Sequence, residues 1–200
     1  MNIVVLVSGN GSNLQALIDA EKAGRYRGRV AAVVSDRAGV FALERAKNAG
    51  IPAFTEEPDK SLSKEARRLE LSDRILRIAE ARDAGLIVLA GFLSILRGNI
   101  INRYSGRIIN LHPALLPKYG GEGMYGEKVH RAVLAAGESE SGCTVHFVDE
   151  GTDTGPILIR RTVPVLDGDT AESLAERIHR EEHAAIVDAV VTLTEKSRKS

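Results

Sequence analysis

Asn110 and His112 stand two residues apart at the end of an apolar run, Ile108-Ile109-Asn110-Leu111, which Pro113 brings to a stop. On an extended strand, residues two apart point to one face, so an amide and an imidazole project together from the strand's end. The amide can donate and accept hydrogen bonds, and the imidazole changes charge near neutral pH, which equips the pair for polar recognition and proton transfer. Carboxyl ends of strands are also where open α/β sheets bind ligands. For these two residues alone, a polar strand end satisfied by its own chain is the alternative.

A second chemical stretch lies near the start. Ser8-Gly9-Asn10-Gly11-Ser12-Asn13 links a β-branched run, Ile3 to Val7, to Leu14, Leu17 and Ile18 at helical spacing. Strand, glycine-rich turn and helix in that order let backbone N–H groups converge where the helix dipole favours an anion. A dinucleotide fingerprint needs a third glycine where Leu14 stands, and a triphosphate loop needs a Gly-Lys-Ser/Thr ending that is absent. One phosphate monoester fits Gly11, Ser12 and Asn13 better. Asp36, closing the next strand from Val30 to Ser35, keeps open a ribose-binding acid of the dinucleotide kind, and a plain tight turn is the bland alternative.

Asp149, Glu150 and Asp153 crowd one loop before Gly155-Pro156. The calcium reading fails because the later bidentate Glu and the flanking helices of an EF-hand are missing. A carboxylate that orients a distant histidine is the sharper reading, since an anion beside imidazole favours its charged form. His146, on the more polar face of the strand Gly142 to Val148, is open to either a structural or a functional role. Glu182 falls within the apolar stripe Leu174, Ile178, Ile186, Ala189 and Leu193 of the last helix, and a carboxylate there requires a partner. His179 and His183 lie one turn apart, yet Arg180 occupies the place where a zinc-protease helix has its glutamate, so no metal site is expected.

The elements that must position these groups follow from periodicity. Ile3–Val7 and Leu86–Ala90 read as strands covered on both faces, and Val30–Ser35 as a further strand. Helices are expected over Val40–Ala49, along the stripe Leu62, Ala66, Leu69, Leu76 and Ala79, from Glu127 to Ala136, and from an Asp169/Glu172 cap through the last stripe. Alternating strands and helices imply parallel pairing with right-handed crossovers, while Ile157–Val165 pairs antiparallel with its predecessor across a short turn. Gly120 to Gly126 holds four glycines in seven residues and reads as a mobile loop or lid. Gly91-Phe92-Leu93 is apolar enough to line a pocket, and Lys196 to Ser200 reads as a frayed tail.

With 200 residues, 44% hydrophobic and 27% charged, one globular domain is expected. Because 27 basic residues balance 27 acidic ones, neither nucleic acid nor a membrane surface is an expected partner. The longest apolar run, Leu86 to Leu93, is too short to span a bilayer. The lone Cys143 forms no internal disulfide and reads as core; with Met1 leading straight into a strand, a cytoplasmic location is the expectation.

Four segments in register, SGNGSN at 8–13, LAGF at 89–92, INLHPALLP at 109–117 and TVHFVDEGTDTGP at 144–156, together resemble the phosphoribosylglycinamide formyltransferase family, over residues 1 to roughly 190. The implied fold is α/β: a doubly wound, mostly parallel Rossmann-like sheet with an antiparallel C-terminal strand pair and a long C-terminal helix. The implied division is a phosphate-binding half over about 1–100 and a catalytic, folate-binding half over about 101–195. The implied activity is transfer of a formyl group from 10-formyltetrahydrofolate to the amine of glycinamide ribonucleotide in purine synthesis, with no metal, by a monomer or homodimer acting on small molecules.

Residue by residue, the resemblance makes Asn110, His112 and Asp153 catalytic, with His112 kept cationic by Asp153. It assigns Gly11, Ser12 and Asn13, with His179, Arg180, Glu181 and Glu182, to the ribonucleotide. It assigns Leu93, Ser94, Ile95 and Leu96, Asn110, and Asp149, Glu150, Gly151, Thr152 and Asp153 to the folate, with Lys64 in a loosely aligned basic position. The segment Gly120 to Gly126 departs from the family as an insertion. A formyltetrahydrofolate hydrolase shares much of the pattern; a non-catalytic nucleotide-binding module accounts for the glycine-rich loop but not for the trio.

Overall fold

The structure, a computed structural model, describes residues 1–196. Of the tail expected from Lys196 to Ser200, Lys196 still belongs to the last helix and residues 197–200 lie outside the described residues.

Six strands and helices alternate through the first half: β1 Asn2–Val7, α1 Ser12–Lys22, β2 Arg29–Ser35, α2 Phe41–Asn48, β3 Ala53–Thr55 and α3 Lys64–Ala81. The second half continues with β4 Ala84–Leu89, α4 Asn99–Arg103, β5 Ile108–His112, α5 Glu127–Ala135, β6 Glu140–Phe147, β7 Ile157–Pro164 and α6 Ala171–Lys196. All seven strands form one sheet in the order β3-β2-β1-β4-β5-β6-β7. Pairing is parallel from β3 through β5, and antiparallel from β5 to β6 and from β6 to β7.

The continuous apolar character of β1 follows from its position. Ile3, Val5 and Val7 enter one core with residues of α1 and α6, while Val4 and Leu6 enter a second with Leu71, Ile75 and Ala79 of α3. A strand buried on both faces has no polar side to display. Each fully buried Ile or Leu contributes roughly 1.5–3 kcal/mol by leaving water, so the two cores stabilise the sheet from both sides.

Chain order reverses between β1 and β4, and the loops leaving these two strands meet. Ser8 N–H donates to the Gly91 carbonyl at 3.0 Å, and Leu93 N–H donates to Ser8 Oγ at 2.8 Å. The glycine-rich turn is thereby fastened to the apolar loop at the switch point where a cleft opens.

Three local expectations are corrected. In α3 the buried residues are Leu71, Ser72, Ile75 and Ala79, whereas Leu62 precedes the helix and Leu69 is exposed. A stripe with a serine in it is poorly visible to a hydrophobicity pattern; Ser72 Oγ satisfies itself on the Arg68 carbonyl at 2.7 Å and accepts Arg97 N–H at 2.9 Å. The start of α6 is capped by Thr170 and Ser173, each side-chain oxygen accepting the other's N–H. Asp169 instead accepts two guanidinium bonds from Arg177, at 2.7 and 2.9 Å. The short α4 has no counterpart among the expected helices, because five residues are too few to set up a periodicity.

Candidate active site

A cleft of about 1240 Å³ runs across the carboxyl ends of β1, β4 and β5. At one end lies the N-terminus of α1. Gly11 caps that helix with φ 77°, and a Cβ there would stand 2.6 Å from Ala42 Cβ, so both the backbone turn and the approach of α2 require glycine. Arg45 of α2 holds the turn from outside, donating to the Asn10 carbonyl and to Asn10 Oδ1, both at 2.9 Å. The N–H groups of Ser12, Asn13 and Leu14 come before the first intrahelical bond and remain available to an anion.

Asn13 also looks toward α6. Its Nδ2 donates to Glu182 Oε2 at 3.4 Å, and the same oxygen lies 2.6 Å from His179 Nδ1. The buried carboxylate in the apolar stripe therefore has its partners, and its hydrogen bond raises the pKa of His179. Helical spacing aims His179 and Glu182, three apart, into the cleft. Arg180 and Glu181 do not line it: Arg180 is exposed, and Glu181 faces Arg161 at 3.2 Å on the outer surface. They point away from His179 and Glu182 because consecutive helical residues turn about 100° apart.

At the middle of the cleft β5 delivers Asn110 and His112, and the loop after β6 delivers Asp153. Asp153 adopts φ 60°, a left-handed conformation uncommon for a residue with a Cβ, which turns its carboxylate back over the strand ends. Asp153 Oδ2 lies 3.6 Å from His112 Nδ1 and accepts Gly121 N–H at 2.9 Å, and its Oδ1 lies 3.4 Å from Asn110 Nδ2. Burial works to raise the Asp153 pKa, but the neighbouring imidazoles of His146 and His112 and the Gly121 N–H outweigh it and leave the carboxyl lowered.

His146, left open by its strand pattern, enters the site through the antiparallel register that sets it opposite Asn110. Its Nδ1 lies 2.8 Å from the Phe147 carbonyl, which only a ring N–H can satisfy. In the neutral ring Nε2 is then an acceptor, 3.1 Å from Asn110 Nδ2. One Asn110 hydrogen thus goes to His146 and the other points along the longer contact to Asp153, so a donor for a ligand is obtained by giving up the weaker bond.

At His112 burial works against the carboxylate expected to keep the ring cationic. Burial is the largest influence and lowers its pKa, more than Asp153 and the Tyr119 carbonyl raise it. Its Nε2 donates to Tyr119 O at 2.8 Å. Burial thus favours the neutral ring, the form from which His112 can accept a proton.

The opposite end of the cleft is apolar, lined by Leu93, Ile95 and Leu96, with Ser94 donating to Asp36 Oδ2 at 2.6 Å. Asp36, weighed as a ribose-binding acid, is 4% exposed and leaves Oδ1 without a partner. Gly151 and Thr152 line the cleft with Asp149, whose Oδ1 accepts Gly151 N–H at 3.0 Å and Thr154 Oγ1–H at 2.7 Å. Glu150 is exposed and outside the lining. Lys64 stands at the mouth beside Arg67 and Arg68, which α3 contributes at helical spacing but which no motif announced. Cys143 is fully buried and its thiol is pushed up to about 12, chiefly by burial, which makes it core. Among the described residues no group of three metal-ligating side chains assembles, and no helix is long and apolar enough to cross a membrane.

Comparison with known proteins sets the class: residues 1–190 match the family model described as Formyl transferase. Phosphoribosylglycinamide formyltransferase of Escherichia coli (strain K12) is 45% identical over 184 residues, covering 92% of this chain and 82% of that protein. The trifunctional purine biosynthetic protein adenosine-3 of Drosophila melanogaster is 45% identical over 193 residues; the match covers 96% of this chain and 14% of that protein's length. The crystal structure of glycinamide ribonucleotide transformylase 1 from Symbiobacterium toebii superposes with a TM-score of 0.88 at 42% identity, covering 98% of this chain and 88% of that one. The chain belongs to the phosphoribosylglycinamide formyltransferase family.

Proposed function

We propose that the protein transfers the formyl group of 10-formyltetrahydrofolate to the amine of glycinamide ribonucleotide, in de novo purine biosynthesis. The observation that carries this reading is the convergence of Asn110, His112 and Asp153 between a helix N-terminus and an apolar wall of one cleft. The phosphate would lie on the N–H groups after Gly11, and Glu182 and His179 would take the ribose hydroxyls. The pteridine would lie along Leu93, Ile95 and Leu96 beside the loop from Asp149 to Asp153. The phosphate-binding and catalytic halves, about 1–100 and 101–195, would each supply one side of the cleft.

In the reaction the amine lone pair attacks the formyl carbon and the C=O electrons move onto oxygen. Asn110 donates to that oxyanion with the hydrogen it withdraws from Asp153. Breaking the bond to the folate nitrogen restores the carbonyl. The amine loses one proton and the departing nitrogen gains one, and a neutral His112 beside Asp153 is placed to carry it. Side chains meet every charge that develops, so the scheme uses no metal.

The test is to mix the protein with 10-formyltetrahydrofolate and follow folate absorbance with and without glycinamide ribonucleotide. Loss of formylfolate only with the ribonucleotide is the expected result. Loss without it would replace this reading by a hydrolase, and no loss in either case would leave a binding module.

A further inference from the structure

The four residues from Tyr119 to Glu122 hold four polar groups of the cleft at once. The Tyr119 carbonyl, turned inward by a φ of 57°, accepts His112 Nε2–H at 2.8 Å. Gly121 N–H donates to Asp153 Oδ2 at 2.9 Å. Glu122 Oε1 is bound by Arg68 Nη2 at 2.7 Å and by the Lys64 ammonium. A carbonyl on the imidazole, an N–H on the catalytic carboxylate and a carboxylate on two cations are the kinds of contact a bound ligand would make, and here the chain makes them itself.

The anion position is set in the cleft wall. Lys64, Arg68 and Glu122 all line the same cavity as Leu93 and Asp153, and Arg37, Lys60 and Arg67 line it nearby. The Arg68 side chain is 16% exposed, so its guanidinium is held against the wall, whereas Lys64 and Glu122 are 62% and 49% exposed. The two cations hold the Glu122 carboxyl down to about 2, mainly through the Lys64 hydrogen bond, so it is a full anion at neutral pH. Exposed ion pairs are weak individually, and a competing carboxylate exchanges one pair for another at little net cost. Gly121 and Glu122 are adjacent, so a displacement of the Glu122 carboxylate by several ångströms pulls on the Gly121 N–H that sits on Asp153.

We propose that Tyr119–Glu122 is a latch released by the co-substrate: Glu122 occupies on Lys64 and Arg68 the place of a carboxylate of the folate's glutamyl tail, and its displacement frees Asp153 and His112 for the reaction. The proposal rests on the formyl-transfer reading. Occupation of the tail site is thereby coupled to the catalytic trio, and a folate without a tail carboxylate binds the apolar wall but leaves the latch closed.

The experiment compares the full chain with its Glu122→Gln variant, using 10-formyltetrahydrofolate with one glutamyl unit and a form truncated at the benzoyl group and capped as a neutral amide. Binding of the unreactive tetrahydrofolate monoglutamate is followed in parallel by fluorescence titration. The expected result is that Glu122→Gln lowers KM and Kd for the tailed folate by about three- to tenfold. With the truncated form the unaltered chain turns over slowly, and Glu122→Gln raises that kcat severalfold. Adding Arg68→Ala to the variant should abolish the gain for the tailed folate. A higher KM in Glu122→Gln would show Glu122 to be a clamp that holds ligand, and unchanged constants would make it an ordinary surface ion pair; either overturns the latch. Failure of the tetrahydrofolate to bind at all would overturn its named ligand. Absence of ribonucleotide-dependent transfer by the unaltered chain would instead remove the formyl-transfer reading, while the titration still reports on the latch.

Discussion

Asn110 and His146, thirty-six positions apart, face each other across the β5–β6 ladder with Nδ2 and Nε2 3.1 Å apart, and this pairing fixes which way the Asn110 amide points. The Phe147 carbonyl keeps the His146 proton on Nδ1, so Nε2 accepts and the Asn110 oxygen is turned away from the imidazole.

His146→Phe, which keeps a ring but removes that acceptor, should lower kcat by about 10–100-fold with little change in KM for either substrate, as expected for a residue acting through Asn110. Asn110→Ala should lower kcat by about 100–1000-fold. Steady-state kinetics of the two variants and of their double variant check this: the double variant should be no worse than Asn110→Ala. An additive loss would give His146 a role of its own.

Asp153→Asn retains the side-chain shape and removes the charge that supports a proton on His112. Turnover should fall by about 100–10,000-fold while ribonucleotide binding by titration stays close to that of the unaltered chain. The charge of Asp153 raises the His112 pKa, and removing it lowers that pKa further. The acid limb of the residual rate should therefore move to lower pH. A shift to higher pH would mean that the cationic form of His112 begins the reaction.

Stability should fall as the medium is acidified. Burial lowers the pKa of His112, His130 and His183 below the ordinary imidazole value of 6.5. Below that value the unfolded chain binds more protons than the folded one, so the stability these three rings contribute is complete above pH 6.5 and is lost as pH drops through their folded values. His179 has the opposite sign, because its bond to Glu182 raises its pKa; its contribution is present at low pH and fades as pH rises through that raised value. Three against one, the Tm should drop on going from neutral to mildly acidic buffer, and His130→Phe should flatten the slope. Calorimetric scans across that range measure both.

Gly11→Ala places a methyl group 2.6 Å from Ala42 Cβ on a backbone with φ 77°. Left-handed strain and the clash with α2 together should cost about 1–3 kcal/mol of unfolding free energy. Since the same turn aims the first N–H groups of α1, affinity for inorganic phosphate or the ribonucleotide should weaken as well. Denaturant unfolding and a binding titration separate the two effects.

The local plan was legible in the residues themselves. β1 and β4 could be read because a doubly covered strand is apolar along its length, and α1 because its apolar residues recur every turn. The pairing of Asn110 with His112 followed from strand alternation alone, and Glu182 was conspicuous as a carboxylate in an apolar stripe. These features depend on neighbours a few residues away, so the chain displays them without being folded.

Other features exist only because distant segments meet. Nothing local to His146 says that β6 runs antiparallel to β5; closing the sheet decides it, and with it the partner of Asn110. Asp153 reaches Asn110 across 43 positions by a left-handed turn, and Glu122 reaches Arg68 across 54. The charge of His112 lies under two opposed influences: an adjacent carboxylate can be guessed from a motif, whereas the desolvation that works against it is set by the packing of the whole site. Arg180, Glu181 and Glu150 look like site residues by adjacency, and tertiary structure turns them outward because a helix or a turn exposes only some of its side chains to a given cleft.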